Sequence, residues 1–252
     1  MKTNDSEPFY VVIPARYGSS RLPGKPLADI GGKPMFMHVH DRAALSGASR
    51  VIVATDDQRI VEAAKRYGAE VMITADHHQS GTDRIAEVAE RCAWSGDDIV
   101  VNVQGDEPLI PPELISQVAE LLSSHADAAI ATLTASLTSD QDFNDPNCVK
   151  VVTDQFGYAI YFTRAPIPFP RNRMLSGMAR RHVGLYAYRV AKLKYLASAS
   201  PCELEQVESL EQLRALWLGE RIIVQDARVV PPHGVDTPAD LESVRSLLDG
   251  AS

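Results

Sequence analysis

The sequence predicts an α/β fold, in which a doubly wound and mainly parallel sheet carries an antiparallel insertion. Apolar segments short enough to be buried strands, at 9–13, 50–55 and 70–73, alternate with amphipathic segments of helical period. This alternation is typical of a parallel sheet that helices cover on both faces. Beyond residue 128 the pattern changes to strands joined by short turns, which indicates antiparallel pairing.

Length and composition fit a soluble globular protein that folds over residues 1–252 as one large α/β domain or as one domain with a subdomain. The apolar fraction of 45% and the charged fraction of 23% are ordinary for globular proteins, while the net charge of −8 argues against general nucleic-acid binding. Three widely spaced cysteines fit a reducing cytoplasm and argue against a structural zinc. The first residues lack the features of a signal peptide, and no apolar run approaches the ~20 residues of a membrane span. We therefore expect a cytoplasmic protein without membrane attachment.

The first strand leads into a loop that is suited to bind a polyphosphate. Residues 14–26 contain two glycines, two serines, three prolines and the cations Arg16, Arg21 and Lys25, but no acid. Glycine and serine let backbone N–H groups approach an anion closely, and the cations oppose its charge. The spacing fits neither a Walker loop nor a dinucleotide-binding G-x-G-x-x-G loop. The residues alone leave a solvated basic turn as the alternative.

The next three helices are predicted from their start and stop signals. Residues 34–46 predict a helix that ends at Gly47, and the pair Asp56-Asp57 could cap a second helix that follows it. Residues 80–84, which read Ser-Gly-Thr-Asp-Arg, precede a third helix, for which Thr82 or Asp83 is a natural N-cap. Gly81 would also let a flat base lie against the backbone, within reach of Arg84. The residues alone favour neither interpretation of this segment.

A central strand at 98–103 runs into Gln104, Gly105 and Asp106. Gly105 permits a sharp bend, and parallel sheets collect their ligands beyond the carboxyl ends of the strands. A carboxylate at this point suits Mg²⁺, so Asp106 is a candidate metal ligand. The alternative is a turn aspartate before the next helix. Glu107 is a weaker candidate, because adjacent side chains point in different directions.

Residues 129–200 are predicted to form the antiparallel insertion, which would cover the second substrate and offer an interface. Strands are expected at 129–134, 147–153, 157–163 and 182–188. The stretch 203–218 then predicts one amphipathic helix. Its apolar stripe comprises Leu204, Val207, Leu210, Leu213 and Trp217. Glu211 and Gln212 lie beside the stripe, so the pattern alone places them on a solvated face.

The C-terminal segment supplies a second candidate carboxylate. Thr237 and Asp240 form a predicted capping box for the last helix, with Pro238 in its first turn. Asp236 is not needed for that cap and is a candidate second metal ligand. A turn aspartate without a function is the alternative at this position.

These residues favour a transfer at phosphorus over covalent catalysis. The sequence contains no G-x-S-x-G serine, and no cysteine has a basic partner by sequence. We expect a substrate hydroxyl to attack the α-phosphate of a nucleoside triphosphate and to expel pyrophosphate. Lys25, Arg16 and Arg21 would bind the phosphates, while Asp106 and Asp236 would hold Mg²⁺, as one ion or as two ions ~4 Å apart.

Long motifs in the chain resemble those of the CMP-Kdo synthetases (3-deoxy-manno-octulosonate cytidylyltransferases), a family of sugar nucleotidyltransferases for acidic sugars. The resemblance covers nearly the whole chain. Its motifs are, in chain order, P-A-R-Y-G-S-S-R-L-P-G-K-P-L, A-T-D-D, H-Q-S-G-T-D-R, V-N-V-Q-G-D-E-P-L-I, Y-F-T-R-A-P-I-P, R-H-V-G-L-Y-A-Y-R, E-S-L-E-Q-L-R and G-V-D-T-P-A-D-L.

The resemblance implies that CTP and Kdo react to give CMP-Kdo and pyrophosphate, with Mg²⁺ as cofactor, for lipopolysaccharide biosynthesis. It also implies a homodimer formed through the insertion. The implied CTP contacts are Ala15, Arg16, Lys25, Ser80, Arg84 and Gln104. The implied Kdo contacts are Arg164, His182, Tyr186, Glu211 and Gln212. For Glu211 and Gln212 this replaces the solvated helix face that the periodicity predicts. Arg164 would form a fork onto the sugar carboxylate, and the others would meet hydroxyl groups.

Two alternatives share part of this pattern. A CMP-sialate synthetase would use the same loop style and the same nucleotide with a different sugar acid. A catalytically silent nucleotide-binding module would bind CTP without turnover. The segment 170–181 is also shorter than the family pattern.

Overall fold

A computed structural model describes residues 7–18, 22–78, 80–137, 139–169, 171, 179–230 and 234–249. A short 3₁₀ turn, Lys25–Leu27, lies in the first loop. The strands and helices are, in chain order, β1 (Phe9–Pro14), β2 (Asp29–Ile30), β3 (Lys33–Pro34), α1 (Met35–Ala44), β4 (Arg50–Thr55), α2 (Gln58–Arg66), β5 (Val71–Ile73), α3 (Gly81–Arg91), β6 (Ile99–Asn102), α4 (Pro112–Ser123), β7 (Ile130–Ser136), α5 (Asp140–Asn144), β8 (Lys150–Thr153), β9 (Ala159–Thr163), β10 (Arg180–Arg189), α6 (Val190–Ser198), α7 (Glu203–Glu208), α8 (Leu213–Trp217), β11 (Ile222–Asp226) and α9 (Pro238–Asp249).

The main sheet has the strand order β11-β7-β10-β6-β1-β4-β5. The pairs β6–β1, β1–β4, β4–β5 and β7–β11 are parallel, whereas β10 runs antiparallel to both β6 and β7. The hairpin of β8 and β9 lies off this path and is joined to it through β8 and β10. The predicted α/β class, with its parallel sheet and added antiparallel strands, is confirmed.

The residues at about 129–200 do not form a layer of their own. Two of their strands, β7 and β10, lie on the main path of the nine-stranded sheet, and the β8–β9 hairpin is a branch of the same sheet that is joined to it through β10. The reason is the length of β10, whose alternate residues Val183, Leu185 and Ala187 are buried in the core of the main sheet. Antiparallel pairing was therefore predicted correctly, but it does not separate the segment from the parallel strands.

Two apolar layers cover the two faces of the sheet. On one face, α1 and α4 pack on β1, β6 and β7 through residues such as Val39 and Leu114. On the other face, α3 and α6 pack through Ile85 and Leu193. In the described part of the chain, no helix is long and apolar enough to cross a membrane.

The predicted helix at 203–218 is wrong as a single element. Two short helices, α7 and α8, are separated by Ser209, which has a φ of 51°. A non-glycine residue in this left-handed region ends a right-handed helix. The predicted apolar stripe is broken as a result: Val207 and Trp217 are 84% and 59% exposed, whereas Leu210 and Leu213 are buried.

The predicted N-cap residue is correct for α2 but not for α3. The side chain of Asp57 caps α2 by accepting from the Arg59 N–H, as predicted. The N-cap of α3 is Ser80, not the predicted Thr82 or Asp83. Asp83 instead completes a capping box with Ser80, because its carboxylate accepts from the Ser80 N–H at 3.0 Å.

Candidate active site

The candidate site lies at the carboxyl ends of β1 and β6, which are neighbouring parallel strands. A Cβ atom at Gly105 would lie 3.0 Å from the carbonyl oxygen of Pro14, so this glycine is what lets the two strand ends approach. The close contact places Asp106 beside the loop that follows β1. Asp106 therefore lies where the sequence predicted ligands to collect.

Lys25 is the centre of the charged groups at this edge. Its Nζ donates to Asp106 Oδ2 at 2.6 Å, to Asp236 Oδ1 at 3.0 Å and to the carbonyl oxygen of Val235 at 2.8 Å. Burial lowers the pKa of Lys25, but the charges and hydrogen bonds of the two aspartates outweigh it, and the pKa lies above its ordinary value. Two carboxylates that are 130 residues apart in the chain thus meet at one ammonium group.

The segment at 234–236 is fixed against Asp106 by its backbone. The Val235 N–H donates to the Asp106 carbonyl oxygen at 2.8 Å, and a Cβ atom at Gly234 would lie 3.4 Å from the same oxygen. The Val235 side chain is fully buried beside Ile30. The backbone that carries Asp236 is held in three ways, by the hydrogen bond to Asp106 in the turn after β6, by this apolar contact and by Asp240 of α9.

The start of α9 contains the predicted capping box. The Asp240 N–H donates to Thr237 Oγ1 at 3.2 Å, and the Thr237 N–H donates to Asp240 Oδ2 at 2.8 Å. Asp240 also accepts from the Asp236 N–H at 3.0 Å. The cap thus involves only the backbone N–H of Asp236, and the carboxylate of Asp236 accepts a hydrogen bond from Lys25.

Asp106 and Asp236 fit a hard divalent cation. Carboxylate oxygens are the ligands that Mg²⁺ prefers, and it commonly takes one or two from the protein and the rest from water and substrate phosphates. Both side chains are partly exposed, at 33% and 49%, so ligands can reach them. Within the described residues no cluster of three or more His, Cys, Asp or Glu side chains could hold a metal ion.

The predicted nucleotide residues lie around the same edge with different exposure. Arg16 follows β1 and donates through Nη2 to the His78 carbonyl oxygen at 2.5 Å, which ties the first loop to the start of α3. The Ala15 N–H donates to the Ala54 carbonyl oxygen at 2.9 Å, which extends the pairing of β1 with β4. The Ser80 hydroxyl caps α3, and Gln104 is half-buried two residues beyond β6.

Arg84 lies beneath this edge and is fully buried. Its Nη2 donates to Asp56 Oδ2 at 3.0 Å and its Nη1 donates to Thr74 Oγ1, while Nε has no partner among the described residues. The structure therefore gives Arg84 an internal ion pair that ties α3 to the loop after β4. Its contact with a nucleotide stays a prediction.

His182 is predicted to bind the sugar acid, and its hydrogen bond fixes its tautomer. The Thr132 hydroxyl has one hydrogen and faces the Leu185 carbonyl oxygen at 2.9 Å and the Val183 carbonyl oxygen at 3.1 Å. It therefore accepts from His182 Nε2 at 3.0 Å, and Nδ1 is left as an acceptor. Burial, followed by the charge of Arg181, lowers the pKa of His182 to about 3, so the ring is neutral.

Tyr186, Glu211 and Gln212 lie together on this side of the site. The Tyr186 ring is 5.2 Å from that of His182, and burial raises its pKa, with Glu211 among the contributing charges. Burial also raises the pKa of Glu211, although hydrogen bonds from the hydroxyls of Ser80 and Thr82 partly lower it. Glu211 Oε1 and Gln212 Nε2 are buried without a hydrogen-bond partner in the described structure.

The helical pattern was therefore wrong for Glu211 and Gln212, which are not on a solvated face. They lie in the turn between α7 and α8, and the left-handed Ser209 directs that turn inward. The motif resemblance, and not the periodicity, indicated their burial in the site.

Arg164 holds that turn. Its Nε donates to the Glu208 carbonyl oxygen at 2.6 Å, its Nη1 to that of Pro146 at 2.9 Å and its Nη2 to that of Ser209 at 3.3 Å. A guanidinium has five N–H donors, so two remain, one on each terminal nitrogen. The predicted fork onto a carboxylate would use these two.

Sequence reasoning missed the groups that support the site. Thr132 orients His182, and Glu208 holds the start of the 164 loop by accepting from the Arg164 N–H at 2.9 Å and from the Thr163 hydroxyl at 2.5 Å. The only sequence signal for Thr132 is a polar residue within an apolar strand.

Glu107, the weaker metal candidate, has a shifted pKa. Burial, with the charge of Asp106, raises the pKa of Glu107 to about 7. The predicted phosphate contact Arg21 and most of the 170–181 segment lie outside the described residues.

Comparison with known proteins gives consistent matches over the whole chain. A family model for cytidylyltransferases matches residues 10–222. The 3-deoxy-manno-octulosonate cytidylyltransferase of Thioalkalivibrio sulfidiphilus is 56% identical over 247 residues, which cover 95% of this chain and 98% of that protein. The protein of the same name from Pseudomonas syringae pv. syringae is 54% identical over 250 residues, with 96% and 98% coverage.

A solved structure gives the same match in three dimensions. It is that of a CMP:2-keto-3-deoxy-manno-octonic acid synthetase complexed with CTP. This chain superimposes on it with a TM-score of 0.90 and 43% sequence identity, and the match covers 97% of this chain and 100% of the other.

Proposed function

Because the chain belongs to the cytidylyltransferase family, and within it to the 3-deoxy-manno-octulosonate cytidylyltransferases, we propose that it transfers CMP from CTP to the sugar acid Kdo. A hydroxyl oxygen of Kdo loses its proton to water and forms a bond to the α-phosphorus, the bond from that phosphorus to the bridging oxygen breaks, and pyrophosphate leaves. The observation that carries the proposal is the convergence of Asp106 and Asp236 on Lys25 beside the phosphate-binding loop. Their partial exposure leaves this group accessible to substrate.

Lys25 and Arg16 bind the phosphates of CTP in this proposal. Both are cations on the loop after β1, and Lys25 is held in place by two carboxylates. Phosphoryl transfer needs positioned opposite charge more than covalent chemistry, which is what this loop provides. Asp106 and Asp236 would hold Mg²⁺, which when bound neutralises phosphate charge and lowers the pKa of an attacking hydroxyl.

The sugar acid lies toward His182, Tyr186 and the turn between α7 and α8. Neutral His182 offers Nδ1 as an acceptor for a hydroxyl, and the buried polar atoms of Glu211 and Gln212 offer an acceptor and a donor. Arg164 offers its two remaining N–H groups to the carboxylate. This set suits a ligand with several hydroxyls and one anionic group.

Mg²⁺ dependence, a homodimer and a cytoplasmic location are parts of the same proposal. The pair of carboxylates supports the metal. Large exposed apolar side chains near the β8–β9 hairpin and α8, such as Ile160 and Trp217, support an interface with a second copy. Three free cysteines support a reducing compartment. Lipopolysaccharide biosynthesis follows from the product, an activated form of Kdo.

The proposal is tested by assaying the purified protein with CTP and Mg²⁺ and with each sugar acid separately. We expect pyrophosphate release with Kdo and not with sialate. Turnover with sialate alone would assign the chain to the CMP-sialate synthetases. CTP binding without turnover of either acid would show a silent nucleotide-binding module.

A further inference from the structure

Asn102 is a polar residue in the core of the sheet that the proposed mechanism does not yet use. It is the last residue of β6 and is 3% exposed. Its Oδ1 atom is buried and has no hydrogen-bond partner among the described residues. Leaving a buried acceptor without a partner destabilises a fold, so such an atom calls for an explanation.

The position of Asn102 is between the two halves of the site. In the sheet it pairs with Val12 of β1 on one side and with Tyr186 of β10 on the other. The first neighbour leads to the phosphate-binding loop, and the second is a predicted sugar contact. Asn102 therefore lies at the boundary where the nucleotide and the sugar acid must meet.

The start of α3 places Asn102 near the other unpartnered groups. A Cβ atom at Gly81 would lie 3.9 Å from Asn102 Nδ2. The residues on either side of Gly81, Ser80 and Thr82, contribute the hydroxyls that lower the pKa of Glu211 against its burial. Asn102 and Glu211 thus both lie next to the turn at 80–82, and Tyr186 is the cross-strand neighbour of Asn102.

Among the residues that the structure describes, three buried polar atoms on this side of the site have no hydrogen-bond partner: Asn102 Oδ1, Glu211 Oε1 and Gln212 Nε2. Two of them are oxygens that accept hydrogen bonds, and one is a donor. A nucleotide phosphate would be repelled by the two oxygens, whereas a polyhydroxylated sugar supplies the O–H donors that they lack.

We propose that Asn102 is a specificity-determining contact for the sugar acid, and that its Oδ1 accepts a hydrogen bond from a sugar hydroxyl. The inference rests on the proposed function, because it assumes that a sugar acid is the second substrate. A site that is built to hydrogen-bond a hydroxyl rejects a ligand that lacks it, since its own buried polar atom is then left unpaired. Asn102 would accordingly select for a hydroxyl at one position of the sugar.

The test is Asn102→Leu in the full-length protein, with Asn144→Leu as the matched control. Leucine has a similar volume and removes both polar atoms. Asn144 lies on the exposed surface of α5, where its Nδ2 donates to the Asp140 carbonyl oxygen. The measurements are KM and kcat with Kdo, the Kd of CTP by calorimetry, and the midpoint of thermal unfolding. Asn102→Ala is a second variant that guards against overpacking.

We expect the KM for Kdo to rise by about tenfold or more, while the Kd of CTP changes by less than about twofold. The thermal midpoint should not fall, because an unpartnered polar atom has been removed. An unchanged KM for Kdo in both variants would overturn the inference, as would parallel losses for CTP or a lowered thermal midpoint. These outcomes require an active wild-type enzyme; if the wild type releases no pyrophosphate with Kdo, it is the proposed function that fails.

Discussion

Lys25 explains why two carboxylates can lie close together in this fold. Asp106 and Asp236 would repel each other in a partly buried site, and the ammonium group between them removes that repulsion. The raised pKa of Lys25 has the same origin, since the protonated form is the one that both acids stabilise. Lys25 thus holds the two carboxylates together, and in the proposed function it also binds the phosphates.

Replacing either aspartate tests the proposed metal site. In Asp106→Asn and Asp236→Asn the shape is kept but one negative charge is lost, so we expect kcat/KM to fall by about 10²-fold or more. The deficit should shrink at high Mg²⁺ concentration if the lost charge serves the metal. Steady-state pyrophosphate release across a Mg²⁺ titration measures both effects.

The control for these variants is Asp127→Asn, an exposed acid before β7 that pairs with Arg221. It lies at the opposite end of the strands and should leave kcat/KM unchanged. Wild-type rates in both Asp106→Asn and Asp236→Asn would contradict the proposed metal ligands.

His182 predicts a dependence of stability on pH. The pKa of His182 is about 3 in the folded protein and about 6.5 in the unfolded chain. Below pH 6.5 the unfolded chain therefore binds a proton at this ring, whereas the folded protein does not. The contribution of His182 is complete above that value and is lost as the pH falls, by about 1.4 kcal/mol per pH unit. We expect His182→Gln to have a shallower decline in unfolding free energy than the wild type between about pH 6 and 4. Urea unfolding at several pH values measures it, and parallel curves would rule the assignment out.

At the scale of elements, the turn between α7 and α8 positions the residues that we propose to bind the sugar acid. Ser209 stops α7, and Arg164 holds the turn through the carbonyl oxygens of Glu208 and Ser209. A buried ion pair closes the turn from behind: Arg214 Nε donates to Glu205 Oε2 at 2.8 Å, and both side chains are about one-tenth exposed. The inward placement of Glu211 and Gln212 follows from these contacts.

Breaking that ion pair should destabilise the fold. Arg214→Met leaves the Glu205 carboxylate buried without its partner, so we expect a loss of about 3–5 kcal/mol in unfolding free energy. The double variant Glu205→Met with Arg214→Met should lose less than the single one, because no buried charge remains. Chemical denaturation of the wild type and both variants measures this, and an equal loss in the two variants would contradict the explanation.

At the scale of the whole molecule, the sheet brings distant segments to one edge. Residues 25, 106 and 236 meet because β1 and β6 are adjacent and parallel, and because Val235 is buried against the same edge. The antiparallel β10 adds His182 and Tyr186 on the neighbouring side. One continuous sheet therefore supports both halves of the proposed site.

The proposed homodimer is tested by sedimentation equilibrium. We expect a mass of twice that of the 27.5-kDa chain at micromolar concentration. Ile160→Glu, which places a charge on a 61% exposed apolar position of β9, should shift the protein toward the monomer. The control is Leu247→Glu, because Leu247 is equally exposed, at 62%, but lies on α9. A wild type that remains monomeric would contradict the proposed dimer.

The elements with a clear local cause were predictable from the sequence. The parallel strands, the caps at Asp57 and Thr237, and the turn that carries Asp106 each follow from a pattern within about ten residues. The helix at 203–218 failed because Ser209 carries no sequence signal for a left-handed conformation. The burial of Arg84 was not predictable either, because its ion-pair partner Asp56 and its hydrogen-bond partner Thr74 are distant in sequence.

The sequence by itself determined the fold class, the composition of the loop that we propose to bind phosphates and, through its motifs, the family. Tertiary structure alone decided that Asp106 and Asp236 share Lys25, that Thr132 sets the tautomer of His182, and that Asn102 Oδ1 is buried with no partner among the described residues. The physical reason is range: propensity, periodicity and capping act between near neighbours in the chain. Electrostatic pairing and hydrogen-bond satisfaction instead depend on which strands become neighbours in the folded sheet.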